Sequence, residues 1–256
     1  MFQNKYRLIW FQHFHKAAGT TIVEYAIINN EKLYPNHLNG NPVEKDGTLI
    51  NLHTFSPEKL TMFIDECEKN GITFVATEWS APDLDTLAND PRVVLITCFR
   101  DPLKRLVSNF YFDLYGSFTQ STKLENYVNS KNLTYTMDNY YCRILSRYDA
   151  GINEIDEVLY QKAKINLSKF DCCVTVENGF DGLCKYLKWS CPPLKKNESK
   201  SGIRTYMRLL LGGQFKSIFL RVAFQKRSPS ADFREAYVKN NVFDYKIFNE
   251  CSNNNK

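Results

Sequence analysis

The segment Val93-Val94-Leu95-Ile96-Thr97-Cys98-Phe99 constrains the fold of this chain more than any other stretch. It is almost uninterruptedly apolar, which suits a strand buried on both faces, and such strands belong to parallel sheets covered by helices above and below. The run stops at Arg100-Asp101-Pro102, and Pro102 fits the first turn of a helix beginning there.

A second unit of the same kind stands at the start of the chain. The aromatic run Leu8-Ile9-Trp10-Phe11 continues to Phe14, the small residues Ala17-Ala18-Gly19 make a tight turn, and a helical pattern begins at Thr20. Ile22, Val23, Ala26 and Ile27 recur at helical spacing, and Thr20 and Thr21 are suited to cap that helix. Further along, the patterns predict a loop at Asn36–Gly47, a helix over Pro57–Lys69 and a strand at Ile72–Ala76. Helices are expected over Met137–Tyr148 and Ile155–Leu167, a strand at Asp171–Val176 and a helix over Phe180–Lys188. Ser190–Ser201 reads as a loop, and the remaining residues are helical up to an Asn-rich tail. Alternating strands and helices predict an α/β three-layer sandwich around a parallel sheet, with one domain over 1–251 and a frayed tail at 252–256.

Composition narrows the function classes. The 256 residues, 43% hydrophobic, are enough for one self-supporting core. A net charge of +5 favours anionic ligands, but no dense basic run suggests nucleic acid; Lys195-Lys196 and Lys226-Arg227 read as short solvated patches. Eight cysteines without a C-x-x-C pair argue against a disulfide scaffold and against zinc, so no metal is expected. Cys184 and Cys191 are placed either to form a bridge or to stay as buried thiols. The N-terminal residues lead straight into the first strand with no apolar stretch of signal or anchor length, and no membrane span is expected in this chain. Asn132, Asn166 and Asn197 open N-x-S/T triplets.

Two motifs carry chemistry. In His15-Lys16-Ala17-Ala18-Gly19-Thr20-Thr21, small residues let the backbone approach an anion, a helix N-terminus offers N–H groups, and hydroxyls add donors. The lysine precedes the glycine, so this is not a Walker A loop. In Phe99-Arg100-Asp101-Pro102-Leu103-Lys104-Arg105-Leu106-Val107-Ser108, Arg100 sits at a strand's carboxyl end, where it can clamp a phosphate, and Ser108 lies two helical turns on. The bland reading pairs Arg100 with Asp101 and leaves Ser108 on the surface. Two anion-suited strand ends in one α/β chain weigh against it, because such sheets bind ligands there.

Together, HKAAGTT and FRDPLKRLVSNFYF resemble the two nucleotide-binding segments of the carbohydrate sulfotransferases. That group includes heparan sulfate 2-O- and 6-O-sulfotransferases and galactose 3-O-sulfotransferases, and uses the donor PAPS (3'-phosphoadenosine-5'-phosphosulfate). The resemblance extends through Asp138-Asn139-Tyr140-Tyr141-Cys142-Arg143, the strand ending at Val176-Glu177, and the closing segment Asn240–Phe248. It implies a P-loop-like sulfotransferase fold, sulfuryl transfer from PAPS to a hydroxyl acceptor such as a carbohydrate, no metal, and a Golgi-lumen setting, while the lack of a signal or anchor stretch in this chain leaves a cytoplasmic setting open. By the same resemblance, His15, Lys16, Ala17, Ala18, Gly19, Thr20 and Thr21 would hold the 5' end of PAPS, Arg100 and Ser108 would hold its 3'-phosphate, and Lys16 would stabilise the leaving group.

The sequence departs from this pattern at the base. Several relatives carry a histidine just after the strand that here reads Phe74-Val75-Ala76-Thr77-Glu78-Trp79, and none is present. Glu78 is the expected proton acceptor, with His53 in reserve and Trp79 as an apolar wall or sugar platform. Two alternatives stand beside this reading: a PAPS- or PAP-binding module without turnover, and a nucleotide-dependent kinase. The kinase reading lacks the Walker lysine and an acidic Mg²⁺ ligand at a strand end.

Overall fold

A computed structural model describes residues 6–129, 136–147, 154–192 and 203–253. Asn132, Tyr148, Lys195-Lys196, Asn197 and residues 254–256 of the tail lie outside them.

In chain order the elements are β1 (Leu8–His13), α1 (Gly19–Ile28), β2 (His37–Leu38), β3 (Asn41–Pro42), the 3-10 turn Leu52–Thr54, α2 (Pro57–Lys69), β4 (Phe74–Thr77), α3 (Leu84–Asn89) and β5 (Val93–Phe99). Then come α4 (Pro102–Gly116), α5 (Leu124–Asn129), α6 (Tyr140–Leu145), α7 (Glu157–Leu167), β6 (Cys172–Thr175), α8 (Asp181–Leu187), α9 (Ile203–Leu211), α10 (Phe215–Ala223), α11 (Ala231–Asn240) and α12 (Val242–Asn253). Four strands form one parallel sheet in the order β4-β1-β5-β6. The expected α/β architecture, a central parallel sheet flanked by helices on both faces, is what the chain adopts.

Alternation along β1 builds the two faces. Leu8 and Trp10 point to a core shared with α2, α3, α6, α7 and α12, whereas Ile9 and Phe11 point to one shared with α1 and α8. All four are fully buried, each contributing about 1.5–3 kcal/mol of hydrophobic stabilisation. The one polar residue between these apolar positions and the strand end is fully satisfied. Gln12 Nε2 donates to the Thr77 carbonyl at 3.1 Å, its Oε1 accepts from the Thr77 hydroxyl at 3.0 Å, and its carbonyl accepts from the Thr97 hydroxyl at 2.8 Å. Gln12 thereby ties β1 to both neighbours.

Because β1 lies between β4 and β5, the chain winds one way from β1 to β4 and the other way through β5 and β6. The reversal falls at the carboxyl ends of β1 and β5, the crevice position where open α/β sheets receive ligands.

Several local signals play out as read. Pro57 starts α2 behind a Ser56 side chain that accepts from Lys59 N–H. Pro102 starts α4 behind Asp101, whose carboxylate accepts from Lys104 N–H at 2.9 Å. Of the two readings open for Cys184 and Cys191, the chain takes the bridge, with their Cα atoms 6.0 Å apart.

Others differ. The helix expected over Met137–Tyr148 is only Tyr140–Leu145, since Asn139 (φ 48°) and Arg147 (φ 53°) adopt left-handed conformations at its two ends. Thr20 and Thr21 do not cap α1: the helix begins at Gly19, Ala18 occupies the cap position with φ 62°, and no side chain caps it. The loop at Asn36–Gly47 contains the short antiparallel pair β2–β3, and its Gly40 carbonyl accepts from Ala76 N–H at 2.9 Å, which lays it along β4.

Candidate functional site

The loop from β1 to α1 has unusual backbone geometry. Lys16 (φ 65°) and Ala18 (φ 62°) are both left-handed without being glycine, and Ala17 between them is not. Alternation of this kind turns successive N–H groups toward one point and makes an anion-binding nest. Such strain persists only where the surroundings impose it, and it gathers at functional sites. Behind the loop, Ala17 N–H donates to the Phe14 carbonyl at 2.9 Å. Gly19 is required by close approach: a Cβ there would lie 2.1 Å from His13 Cε1.

Two tyrosines of α6 brace the two strand ends. The Tyr140 hydroxyl accepts from His15 N–H at 3.1 Å. The Tyr141 hydroxyl accepts from Arg100 N–H at 3.1 Å and donates to the Arg100 carbonyl at 2.7 Å. The segment Asp138–Arg143 is in turn locked to Asn240–Asp244: Asn139 N–H donates to Asn241 Oδ1 at 2.8 Å, and Asn139 Oδ1 accepts from Phe243 N–H at 3.1 Å. Two distant sequence segments thus act as one bracket beneath the crevice.

Two of the expected anion-binding residues come together there. Arg100 Nη1 donates to the Lys16 carbonyl at 3.4 Å, which joins the second motif to the first. Arg100 does not pair with Asp101, because that carboxylate caps α4. Arg100 Nε is buried without a hydrogen-bond partner. Ser108 is half-buried on α4, one turn before Phe112 on the same face, and the Phe112 ring lies 4.0 Å from Lys16 Nζ. Burial lowers the proton affinity of Lys16, aided by the neighbouring Arg100 charge and opposed by Glu78 and Asp113. Thr20 is exposed and Thr21 half-buried in the first turn of α1.

A further cation joins this group from far away in sequence. Lys226 is brought down to about 8, first by desolvation and then by repulsion from Arg100, Lys16 and Arg221. The strap that carries it is held to α4 by two tyrosines. The Tyr115 hydroxyl donates to the Phe224 carbonyl at 2.7 Å, and the Tyr111 hydroxyl donates to the Gln225 carbonyl at 3.2 Å while accepting from Arg227 N–H at 2.7 Å. Lys226 is exposed, as expected of a solvated patch, yet close enough to Arg100 and Lys16 to feel their charge; in sequence, only its position in a long stretch without Asp or Glu could have drawn attention to it.

The acid-base groups form a second cluster at the end of β4. Glu78 Oε1 lies 2.7 Å from His15 Nδ1 and 3.5 Å from His13 Nδ1. Burial would raise the Glu78 carboxyl, but hydrogen bonding and charge from His13 and His15 outweigh it and hold the group well below the usual carboxylate range. A carboxylate so held is a weak base by itself. It is well placed to orient His15, fixing the tautomer in which Nε2 carries the lone pair. His53, from the 3-10 turn, borders the same cleft as Glu78, Trp79 and Asn41.

An aromatic rim surrounds these groups. Trp79 stacks on His15 with centroids 6.0 Å apart, Phe112 meets His15 edge-on at 5.8 Å, and Phe118 lies 5.9 Å from Phe112. All three rings stay substantially exposed. Phe118 folds back over α4 because residue 116 is glycine: a Cβ there would sit 2.4 Å from its ring. Sequence reasoning misses Phe112 and Phe118, since an aromatic in a helical pattern reads as core.

The crevice thus combines cations from three separate segments, a carboxylate–imidazole pair, and exposed flat rings. It is suited to hold a polyanion and to move a proton beside it. Compared with known proteins, the chain matches no family model and no curated protein.

Proposed function

We propose that this chain is a sulfotransferase that transfers the sulfuryl group of PAPS to a hydroxyl of a carbohydrate acceptor. The observation that carries the reading is the convergence, at one topological switch point, of the left-handed Lys16–Ala18 loop and Arg100, bridged by the Arg100–Lys16 hydrogen bond.

In this reading the loop N–H groups, Thr20 and Thr21 hold the 5'-phosphosulfate, while Arg100, Ser108 and Lys226 hold the 3'-phosphate. The acceptor hydroxyl oxygen forms a new bond to sulfur as the bond from sulfur to the bridging oxygen breaks in line, and that electron pair leaves with the product PAP. Lys16 meets the negative charge that grows on the leaving oxygen. The hydroxyl proton passes to His15, oriented by Glu78; His53 and Trp79 flank the acceptor. The base is therefore assigned to the His15–Glu78 pair rather than to Glu78 acting alone.

Calorimetric titration with PAP beside ATP, without added metal, tests the reading. Tight PAP binding with little for ATP supports it, and labelled PAPS with a glycan panel then reads out transfer. Preference for ATP, or binding of neither, overturns it. PAP binding without transfer to any glycan would make the chain a nucleotide-binding module.

A further inference from the structure

The helical pair α9–α10 arranges its side chains unlike the rest of the molecule. Met207, Leu210 and Leu211 recur at helical spacing on α9, and Phe215, Phe219 and Val222 do so on α10; every one of them is more than half exposed. The inner sides are apolar as well. Leu209 is buried, Leu220 and Phe224 pack against the cluster around α4, and Arg221 stacks over the Tyr115 ring at 4.5 Å. A surface helix ordinarily turns one apolar stripe inward and a polar face outward. Here the second apolar stripe has no protein to cover it among the described residues.

The charge of the same stretch is one-sided. From residue 199 to residue 231 the sequence holds seven Lys and Arg and no Asp or Glu, a local charge of +7 in a chain whose total is +5. Lys216, between Phe215 and Phe219 in the α10 sequence, is exposed, and so is Arg227 four residues beyond the helix end. Outward apolar residues rimmed by cations match helices that lie in the plane of a bilayer interface, the apolar side sunk to the acyl boundary and the cations at anionic headgroups. The helices are nine residues each, and no helix among the described residues is long and apolar enough to cross a membrane. A second copy of this chain is a poor occupant of the face, because pairing hairpin with hairpin would oppose two sets of four cations, Arg204, Arg208, Lys216 and Arg221, with no acid between them.

We infer that α9–α10 is an interfacial anchor that seats this chain on an anionic lipid surface through Leu211, Phe215 and Phe219. The inference is independent of the proposed sulfuryl transfer.

Co-sedimentation of the full chain with vesicles of phosphatidylcholine alone, and of phosphatidylcholine with phosphatidylserine, tests it. Expected are binding to the phosphatidylserine vesicles, weakening as salt is raised, and a loss of about tenfold or more in the variant Leu211→Ser/Phe215→Ser/Phe219→Ser. A second variant, Lys216→Glu/Arg227→Glu, keeps the apolar face and should lose binding to phosphatidylserine vesicles as well, which covers the case in which the first misfolds. Absence of binding to either vesicle overturns the inference, as does unchanged binding by a folded variant. A dimer in sedimentation velocity that the apolar variant abolishes would assign the face to a second copy and overturn it too.

Discussion

At the carboxyl ends of β1 and β5, charged groups are drawn toward one another and braced from behind; on α9–α10, apolar groups are turned outward with nothing behind them to satisfy. Phe14, beneath the cradle, is fully buried and touches Phe99 and Tyr141, with ring centroids within 5.0 Å of its own. Phe219 on α10 is 66% exposed. The same residue type is structural in one region and available in the other. Cations brought close together and contiguous apolar side chains left wet are both features found where ligands or partners bind.

Stability separates the two regions by the widest margin. Phe14→Ala should cost about 3–5 kcal/mol in denaturant unfolding, whereas Phe219→Ala should stay within about 0.5 kcal/mol. Similar losses for both would mean that α10 is core after all.

Next in size are the effects on the cradle itself. Lys16→Ala should lower turnover with PAPS on the order of a hundredfold to a thousandfold while weakening PAP binding much less, because its charge matters most as the leaving oxygen becomes negative. Equal losses in both would remove that role. Arg100→Ala should instead weaken PAP binding by about a hundredfold, read by calorimetry, since a desolvated cation facing a phosphate is lost outright.

Glu78→Gln keeps the shape but gives up the charge that orients His15, so turnover should fall by about 10- to 100-fold with near-normal PAP affinity. Full activity in that variant would remove the His15–Glu78 pair from the mechanism.

The smallest expected effect lies in pH. Desolvation and the neighbouring cations bring the Lys226 ammonium down to about 8. A bound anion favours the charged form, so PAP affinity should fall, by less than about tenfold, as pH rises through that value. Lys226→Gln should bind more weakly at neutral pH and lose this step; an unchanged pH profile would detach Lys226 from the site.

Much of the cradle is legible in the chain's residues alone. A strand buried on both faces announces itself by continuous apolar residues, as Val93–Phe99 does, because no other environment accepts such a run. Pro57 and Pro102 mark helix starts for equally local reasons. Shortening of the helix at Tyr140–Leu145 is not legible, because the left-handed residues that end it are Asn139 and Arg147 rather than glycines. Thr20 and Thr21 fail as caps because the helix starts one residue before Thr20, behind a strained Ala18.

Local composition and spacing settle the set of parts: two buried strands, two strand-end turns suited to anions, and an acid-free stretch between residues 199 and 231. Each of these is written in a short window, which carries it wherever the chain goes. How the parts meet is a matter of three-dimensional folding: Arg100 reaches the Lys16 carbonyl, Glu78 meets His15 instead of a surface lysine, and Lys226 returns to where it feels the charges of Arg100 and Lys16. Those are contacts across tens to hundreds of residues, set by strand order and by the tyrosine braces, and no short window of sequence contains them.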